Sequence, residues 1–425
     1  MKQSQLPLQA GFAKVDITPR GGCDLNGFVA RTQPSLGVGA PVVGRILMVS
    51  DGHARAVVGV CDLLGLSLAD SARVEAAIAM AAGVPARSVL LACTHTHSGP
   101  MSMYLGTVGR FDPRYIDFLL SRLARAAKAA REDLAPVAEL RVGAGAVPAL
   151  GCFRCAVKEP GRKNWPGTFT VASLLRHGAP PIAMIHYGVH PYVLGPRNRR
   201  IHPDYPGPLC DELARRTGGH ALFLPGCGAD VEAVPAWSAS LAVVKRYAGA
   251  VAAAAEKTLR SARVAAGTPL KTAVMAPRVR FGFIPPAGRR DGEEEGSLAA
   301  LAAGAGKTRR NGVEWGEAFA AGKLPATAPF PMHLVRIGSL MLVGLPAELF
   351  RDTGADLAAA VRNATVLAVS QAGGDVGYLP RRFAYRHRTY EAANAYEWYR
   401  TAGALAPATE PAVRAAAIRK ARQLL

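Results

Sequence analysis

The sequence lacks the features that mark membrane and secreted proteins. No uninterrupted apolar run reaches the roughly 18 residues that a membrane-spanning helix needs. Residues 1–9 contain no basic segment followed by an apolar one, which a secretory signal requires. We therefore expect a cytoplasmic protein without a transmembrane segment.

Cysteine is too sparse and scattered for a disulfide-stabilised fold. The chain has seven cysteines, an odd number, spread over 425 residues. Such usage is typical of a reducing compartment. Cys152 and Cys155 form a CxxC pair, but no second CxxC completes a four-cysteine zinc site, so we predict a structural role for the pair.

Acidic residues are few beside basic ones. Lys and Arg number 51 against 31 Asp and Glu, which gives a net charge of +20. Long basic runs interleaved with aromatics are absent, so we expect no nucleic-acid partner despite the charge. A solvated basic surface is the simplest explanation. Two modest arginine clusters next to the candidate site below would instead favour an anionic substrate or an acidic lipid surface: Arg197, Arg199 and Arg200, and Arg381, Arg382, Arg386 and Arg388.

The chain has enough apolar residues for a substantial core, since half of it is hydrophobic. Apolar strands alternate with amphipathic helices through the first two thirds, as in βαβ units. We predict one α/β catalytic domain over residues 1–425, with mixed β-sheets flanked by α-helices. The predicted strands are 54–61, 88–93, 138–142, 182–189, 221–224 and 366–370, and the predicted helices are 68–82, 115–131, 208–216, 241–262, 392–402 and 411–425.

Two segments of the last third depart from the alternation of strands and helices. Residues 285–330 are rich in Pro, Gly and small residues and carry a charged patch, so we predict a loop-rich insertion there. Residues 334–345 fit a hairpin that turns at Gly338 and Ser339.

His95 and His97 are the most informative residues of the sequence. They lie in Thr-His-Thr-His-Ser-Gly-Pro at residues 94–100, directly after the apolar run 88–93. Side chains alternate along a strand, so a strand continuing through this motif would point both imidazoles to one face. Such a pair can present a metal ligand and a proton carrier to one pocket. The signal is of moderate specificity, because most histidines are structural residues.

Other apolar strands also end in polar clusters, which is where α/β proteins place ligands. A zinc ion needs three or four nitrogen or oxygen ligands, with one position left open for chemistry. Spacing alone does not select the ligands, because they would come from distant segments. The candidates at strand ends are Asp62, His95, His97, His186, His190, Asp230, Glu232, Glu348 and Tyr378.

The motifs and their order resemble the N-terminal catalytic domain of the neutral/alkaline, non-lysosomal ceramidases and their shorter bacterial relatives. The resemblance runs over roughly residues 10–400. Its motifs are Ala-Lys-Val-Asp-Ile-Thr-Pro at 13–19, the segment 94–100, His190-Pro191, Asp-Tyr-Pro-Gly at 204–207, Leu-Pro-Ala-Glu at 345–348, Tyr378, and Tyr390-Glu391.

The resemblance implies a zinc enzyme and assigns roles to individual residues. The implied zinc ligands are His95, His190, Glu348 and Tyr378. His97 corresponds to the second active-site histidine, suited to hydrogen-bonding a developing oxyanion or a leaving group. Arg154 and Tyr390 correspond to an arginine and a second tyrosine that face the site. The implied reaction is hydrolysis of an N-acyl amide bond by metal-activated water, on a small-molecule or lipid-like substrate.

The chain departs from the family pattern at two points. Glu232, in Ala-Asp-Val-Glu-Ala-Val at 229–234, stands where the family has a serine at the reaction centre. A glutamate there is a candidate general base, and the equally weighted alternative is a supporting or surface residue. We also expect no immunoglobulin-like C-terminal domain, which makes long-chain ceramide at a membrane a less expected substrate.

Several alternatives stay open at this point. A small, anionic, soluble substrate would suit the arginines near the site, and a non-catalytic zinc-binding protein would suit the missing serine. A nucleic-acid-binding protein is supported by net charge alone. Among the other polar residues, we expect Asp16 and Asp62 to hold turns or loops, His186 to be a core or supporting residue, and Asp204 to orient a ligand histidine.

Overall fold

The structure is a computed structural model that describes residues 7–20, 22–154, 165–283 and 298–425, with the backbone alone in residues 298–305. The strands of these ranges, β1 to β20 in chain order, are Gln9–Asp16, Val43–Ser50, Arg55–Cys61, Val89–Cys93, Ala135–Ala146, Gly151–Phe153, Thr168–Arg176, Ile182–Tyr187, His220–Pro225, Val231–Ala233, Arg263–Ala265, Leu270–Met275, Arg278–Phe283, Thr327–Pro329, Met332–Ile337, Leu340–Gly344, Glu348–Leu349, Thr365–Val369, Tyr378–Leu379 and Ala404–Leu405. The helices, α1 to α10, are Leu68–Ala82, Arg114–Glu132, Pro206–Thr217, Leu241–Arg260, Leu298–Ala320, Arg351–Ala360, Arg382–His387, Tyr390–Ala393, Tyr396–Tyr399 and Thr409–Leu424.

Two mixed sheets form the centre of the molecule. The larger sheet has the order β4-β3-β2-β1-β5-β7-β8-β9, with β11 also paired to β5. Its end pairs, β3 with β4 and β8 with β9, are parallel, and the pairs between them are antiparallel. The smaller sheet has the order β12-β15-β16-β18, in which β16 and β18 are parallel.

The two sheets face each other across a continuous apolar core. Leu90 of β4 and Val58 of β3 belong to the same buried cluster as Leu342 of β16 and Val369 of β18. Residues buried between sheets need apolar side chains on the inner face of every strand, because an unpaired polar group there loses its water. The strand pattern thus produces a sandwich of sheets.

Helices cover the outer face of each sheet. On the larger sheet, α1 and α2 pack on one half and α3 and α4 on the other. On the smaller sheet, α6 and α10 bury residues such as Leu357 and Ala417 against β15 and β16. The layers are therefore helices, sheet, sheet, helices, and the predicted α/β architecture with mixed sheets is confirmed.

Helix α1 has the predicted bounds because both of its ends are capped. The Ser67 hydroxyl accepts a hydrogen bond from the Asp70 amide, which satisfies a free N–H of the first turn. Gly83 ends the helix in the left-handed conformation, with φ of +69°, where its amide donates to carbonyls of the last turn. The hairpin at Gly338 and Ser339 is also confirmed, between β15 and β16.

The prediction of a loop-rich insertion at 285–330 is wrong for the part that the structure describes. Helix α5 spans Leu298–Ala320, and the short strand β14 follows at Thr327–Pro329. The glycines of this segment suggested loops, but its many alanines favour helix, and tertiary contacts hold it. Trp315 donates its indole N–H to the Thr401 carbonyl at 2.9 Å, and Lys307 donates to two loop carbonyls. Residues 285–297 and Cys155 of the CxxC pair lie outside the described residues.

One predicted helix is divided in the structure. The predicted helix 392–402 is two single turns, α8 and α9, because Arg400 takes a left-handed conformation that ends the second turn. Among the helices that the structure describes, none is both long and apolar enough to span a bilayer.

Glu75, on the buried side of α1, makes stability depend on pH. Burial raises the pKa of its carboxyl to about 8, against 4.5 for an ordinary Glu, and His333 Nε2 lies 3.9 Å from Oε1. Between those pH values the folded protein holds a proton that the unfolded chain releases, so stability falls as pH rises. Relative to Glu75→Gln, the free energy of unfolding of the wild type should fall by about 1 kcal/mol per pH unit. Urea denaturation at pH 5 and pH 8 measures the free energy of unfolding of both proteins. An equal change with pH in the two proteins would contradict the prediction.

Candidate metal centre

Four of the predicted site residues come together where strands of the two sheets end. His95 follows β4 and His190 follows β8, both in the larger sheet. Glu348 begins β17, just after β16 of the smaller sheet, and Tyr378 is its register partner in the neighbouring parallel strand β19. The site thus lies at one end of the sandwich and takes residues from both sheets.

The His95-His97 motif is a loop and does not continue β4. His95 has a φ of +65°, a left-handed conformation that non-glycine residues rarely adopt. The prediction that strand alternation points both imidazoles one way is therefore wrong in its geometry, although the outcome is similar. The two rings lie with centroids 5.1 Å apart, and the turn is held by the His95 amide, which donates to the Leu63 carbonyl at 2.9 Å.

Backbone carbonyls orient the two ligand candidates among the histidines. His95 Nδ1 lies 2.9 Å from the Leu64 carbonyl, and His190 Nδ1 lies 3.2 Å from the Gly228 carbonyl. When each Nδ1–H donates to its carbonyl, each Nε2 keeps a free lone pair toward the centre of the cluster. Arg154 Nη2 also lies 3.1 Å from His190 Nδ1, but only the bond to Gly228 leaves Nε2 suited to bind a metal.

Glu348 lies between the two imidazoles. Its Oε2 is 3.2 Å from His95 Nε2 and 4.0 Å from His190 Nε2, and it is buried without a hydrogen-bond partner. Its Oε1 accepts a 2.6 Å hydrogen bond from the Tyr399 hydroxyl. Burial opposes ionisation, but the charge of a protonated His95 and the hydrogen bonds hold the pKa of Glu348 below its usual value; Glu348 in turn raises the pKa of His95 against the effect of burial. Glu348 Oε2 thus points into the cluster beside His95 Nε2, where a metal would take the place of the imidazolium proton.

The donor set fits a zinc ion. Bonds of about 2.1 Å in a tetrahedral site place neighbouring ligand atoms about 3.4 Å apart, close to the spacings around Glu348 Oε2. Ring nitrogens of His95, His97 and His190 all lie within 4.8 Å of one another. Burial holds the pKa of His190 well below its usual value, so its imidazole is neutral, as a ligand must be. The described residues can therefore hold a metal here, and the identity of the ion belongs to the proposal below.

His97 is the third imidazole of the cluster. Its Nε2 lies 3.0 Å from His190 Nε2, the atom of His190 that would bind the metal. Burial and nearby positive charge, chiefly that of His95, hold the pKa of His97 well below its usual value. A neutral His97 with a protonated Nε2 is a hydrogen-bond donor directed at the centre of the site.

Arg154 reaches the cluster through His190. Besides the contact with His190 Nδ1, its guanidinium is 3.3 Å from Glu391 Oε1 and 3.4 Å from the Tyr192 hydroxyl. A buried cation here lowers the pKa of His190 and faces the carboxylate that follows Tyr390 in sequence. Arg154 thus adds positive charge beside a ligand candidate, whose orientation is set by the Gly228 carbonyl.

A cavity of about 300 Å³ opens onto His95, His97 and Glu348. His95, His97, Glu348, Tyr378 and Tyr390 line one end of it, so five of the eight predicted site residues share this cavity. The rest of the wall is largely apolar and aromatic, as is usual where a ligand with an apolar part binds. Its apolar residues include Phe28, Leu64, Leu105, Val108, Trp237 and Trp398.

Glu232 does not line this cavity in the part of the chain that the structure describes. It lies on β10 between buried Val231 and Ala233, and it pairs in register with Cys152 of β6. Burial raises the pKa of the Cys152 thiol most, and the negative charge of Glu232 raises it further. The two side chains are therefore close. The general-base role of Glu232 therefore stays a prediction from sequence position.

The remaining sequence candidates have structural roles. Asp204 was expected to orient a ligand histidine, but it accepts hydrogen bonds from the amides of Val193, Leu194 and Tyr205 and so fixes the loop after His190. His186 contacts the Ala368 carbonyl of the smaller sheet. Asp62 is buried and paired with Arg45 at 2.9 Å, and Asp16 accepts from the Thr18 amide. Each of the last three holds neighbouring segments, as predicted.

Three residues of the site have no signal in the local sequence. Tyr399 holds Glu348 from a segment 51 positions later. Arg31 is buried and donates to the His97 carbonyl at 2.5 Å and to the Gly195 carbonyl at 3.1 Å. Gly27 has a φ of +94°, and a Cβ there would lie 2.5 Å from His97 Cγ, so only glycine fits against that ring. All three contacts join distant segments, which spacing rules do not detect.

Comparison with known proteins identifies the fold. The chain is similar to the crystal structure of a neutral ceramidase from Pseudomonas aeruginosa, with a TM-score of 0.78 and 19% identity over 99% of this chain and 75% of that chain. It is similar to the same extent, at 18% identity, to a structure described as ceramidase complexed with C2. No protein-family model matches the sequence, and no curated protein sequence matches it. The fold is therefore neutral ceramidase-like, which confirms the fold expected from the sequence motifs.

Proposed function

We propose that this chain, with its neutral ceramidase-like fold, is a zinc-dependent hydrolase that cleaves the N-acyl amide bond of a lipid-like substrate. The observation that carries the proposal is the position of Glu348 Oε2, a buried carboxylate oxygen without a hydrogen-bond partner, between the Nε2 atoms of His95 and His190. Of these three donors, His95 and Glu348 line a mainly apolar cavity. Metal ligands beside an apolar cavity are the arrangement that an acyl-chain hydrolase needs.

The four residues assigned to zinc are His95, His190, Glu348 and Tyr378. Bound there, zinc supplies Lewis acidity, which polarises a carbonyl and lowers the pKa of water from near 16 to about 7. Tyr378 joins the set as a hard oxygen donor. Burial and the charge of Glu348 raise the pKa of its phenol well above the usual value, so it is protonated unless a cation binds beside it.

The protein's own groups orient the substrate and move protons. His97 Nε2–H donates into the centre of the cluster, where it can hydrogen-bond the oxygen that becomes negative as the amide carbonyl is attacked. Tyr390 lines the same cavity, with its ring 6.0 Å from that of Tyr378, and is assigned to substrate positioning. Arg154 lies against His190, and its positive charge favours negative charge developing nearby. Glu232 is assigned, from its sequence position, as the candidate base that accepts the proton of the attacking water.

The cavity wall indicates the substrate class. Burying an acyl chain against aromatic and aliphatic side chains is favourable by about 0.8 kcal/mol for each methylene. A small anionic substrate would leave this wall in contact with water and gain little from it. Phe28, Trp237 and Trp398 therefore support a substrate with an apolar acyl chain.

A substrate panel with and without chelator tests the proposal. We expect zinc in the purified protein, loss of amide hydrolysis after dialysis against 1,10-phenanthroline, and recovery when zinc is added back. N-octanoyl amides of a fluorescent amine should be cleaved with a kcat/KM at least about tenfold above that of N-acetyl amides. Cleavage of N-acetylglutamate in preference to the octanoyl amide would favour the small anionic substrate instead. Bound zinc without hydrolysis of any amide would show a non-catalytic metal protein.

A further inference from the structure

Two surface loops next to the cavity are joined into one ribbon, defined as residues 32–41 and 195–201. The Leu36 amide donates to the Arg199 carbonyl at 2.7 Å, and the Ile201 amide donates to the Gly37 carbonyl at 2.9 Å. Val38 and Ile201 form an isolated parallel bridge. These backbone bonds make the ribbon a defined surface, although neither loop belongs to a sheet.

The outer side of the ribbon combines exposed aliphatic side chains with cations. Leu36 is 63% exposed and Val38 is 46% exposed. Arg197 and Arg200 are exposed in the other half of the ribbon. Residues 25–50 and 190–203 contain no Asp or Glu, so no acidic side chain from either segment offsets these charges.

The ribbon is tied to the cavity through a buried arginine. Arg31 donates from Nε to the Asn198 carbonyl at 2.8 Å and from Nη2 to the Gly195 carbonyl at 3.1 Å. Pro196 of the ribbon and Ala30, next to Arg31, both line the cavity. The ribbon is therefore adjacent to the cavity in which the substrate would bind.

We propose that the ribbon is a docking surface for an anionic lipid bilayer. Arginines at the edge of such a surface are attracted to acidic headgroups, while Leu36 and Val38 can enter the region between headgroups and acyl chains. The net charge of +20 adds a long-range attraction to any anionic membrane. Nucleic acid would also attract the arginines, but it gives two aliphatic side chains no apolar phase to enter. The ribbon thus serves delivery of a lipid-like substrate, a step separate from its hydrolysis.

Vesicle sedimentation tests the surface without depending on catalysis. The wild-type protein should bind vesicles of equal parts phosphatidylcholine and phosphatidylglycerol and should not bind phosphatidylcholine alone. Two double variants, Leu36→Ser with Val38→Ser and Arg197→Glu with Arg200→Glu, should each lower the partition coefficient by about tenfold or more. The matched control is Arg263→Glu with Val264→Ser on β11, where Val264 is 65% exposed beside an exposed arginine, and it should bind as the wild type does.

Three further measurements separate the sources of binding. Inorganic phosphate at millimolar concentration should not release the protein from vesicles. Release by phosphate would show that the arginines form a site for free phosphate. Tight binding to single-stranded DNA that survives the change at Leu36 and Val38, without binding to anionic vesicles, would replace the bilayer with nucleic acid. Equal binding by all variants, or none by the wild type, would overturn the proposal. Hydrolysis of a water-soluble octanoyl amide should be unchanged in the Leu36 and Val38 variant, so failure of the docking surface and of the enzyme are distinguishable.

Discussion

Replacing His190 with alanine should remove bound zinc and lower kcat/KM by at least about a thousandfold. The substitution deletes the Nε2 atom that faces Glu348 Oε2 at 4.0 Å and leaves three of the four assigned ligands. A site with a missing ligand binds zinc much more weakly, and the uncatalysed attack of water on an amide is very slow. Elemental analysis of the purified variant and steady-state kinetics on the octanoyl amide measure the two effects.

Two other histidine variants sharpen this result. His53→Ala removes an exposed imidazole far from the cluster in sequence and should keep full zinc content and activity. His97→Ala should keep zinc but lose most activity, because His97 is assigned to the substrate and not to the metal. Loss of zinc from His97→Ala would instead make all three grouped histidines ligands. A zinc-free His190→Ala variant with full activity would refute the metal assignment altogether.

Gly27→Ala should lower kcat/KM by about a hundredfold while zinc stays bound. The added Cβ would lie 2.5 Å from His97 Cγ and 2.6 Å from Nδ1, so the ring must move. A displaced ring no longer aims Nε2–H at the developing negative charge, whereas the four assigned zinc ligands are left in place. The φ of +94° also strains any residue with a Cβ, at about 1–2 kcal/mol.

Gly178→Ala separates backbone strain from displacement of the ring. Gly178 also has a positive φ, +68°, but a Cβ there meets nothing within 4 Å. This control should lose a similar amount of stability in urea denaturation and keep its kcat/KM. If both variants lose activity to the same degree, the close approach of Gly27 to His97 has no functional consequence.

Local pattern was sufficient for those elements whose signals are local. Helix α1 was predicted with its bounds from its amphipathic pattern, and the structure shows that Ser67 and Gly83 cap it at those bounds. Strand β2, Val43–Ser50, was not predicted, because nearly all of its residues are buried and the alternation that reveals a half-exposed strand is missing. In α5 the glycines outweighed the alanines in the prediction, but contacts with distant loops decide the structure.

The residues of the candidate site likewise fall into those that the sequence indicated and those that only the packing of the sheets brings together. The ends of apolar strands pointed to His95, His190 and Glu348 as candidates, and resemblance to a known family was needed to select them from nine. Contacts such as that of Tyr399 with Glu348, or of Arg31 with the His97 carbonyl, depend on how the sheets pack, and no spacing rule encodes them. Conversely, Glu232 was chosen from its place in a motif, and the strand that carries it directs the side chain toward Cys152.

The position of the metal ligands in the sandwich gives the ion a mechanical role. His95 and His190 follow strands of the larger sheet, whereas Glu348 and Tyr378 lie on the two-stranded sheet of β17 and β19, which comes after β16 of the smaller sheet. An ion bound by all four would link the two sheets at one end, through the segments that follow their strands. Binding energy would then oppose separation of the sheets, and the protein would resist unfolding more strongly as free zinc rises above its dissociation constant.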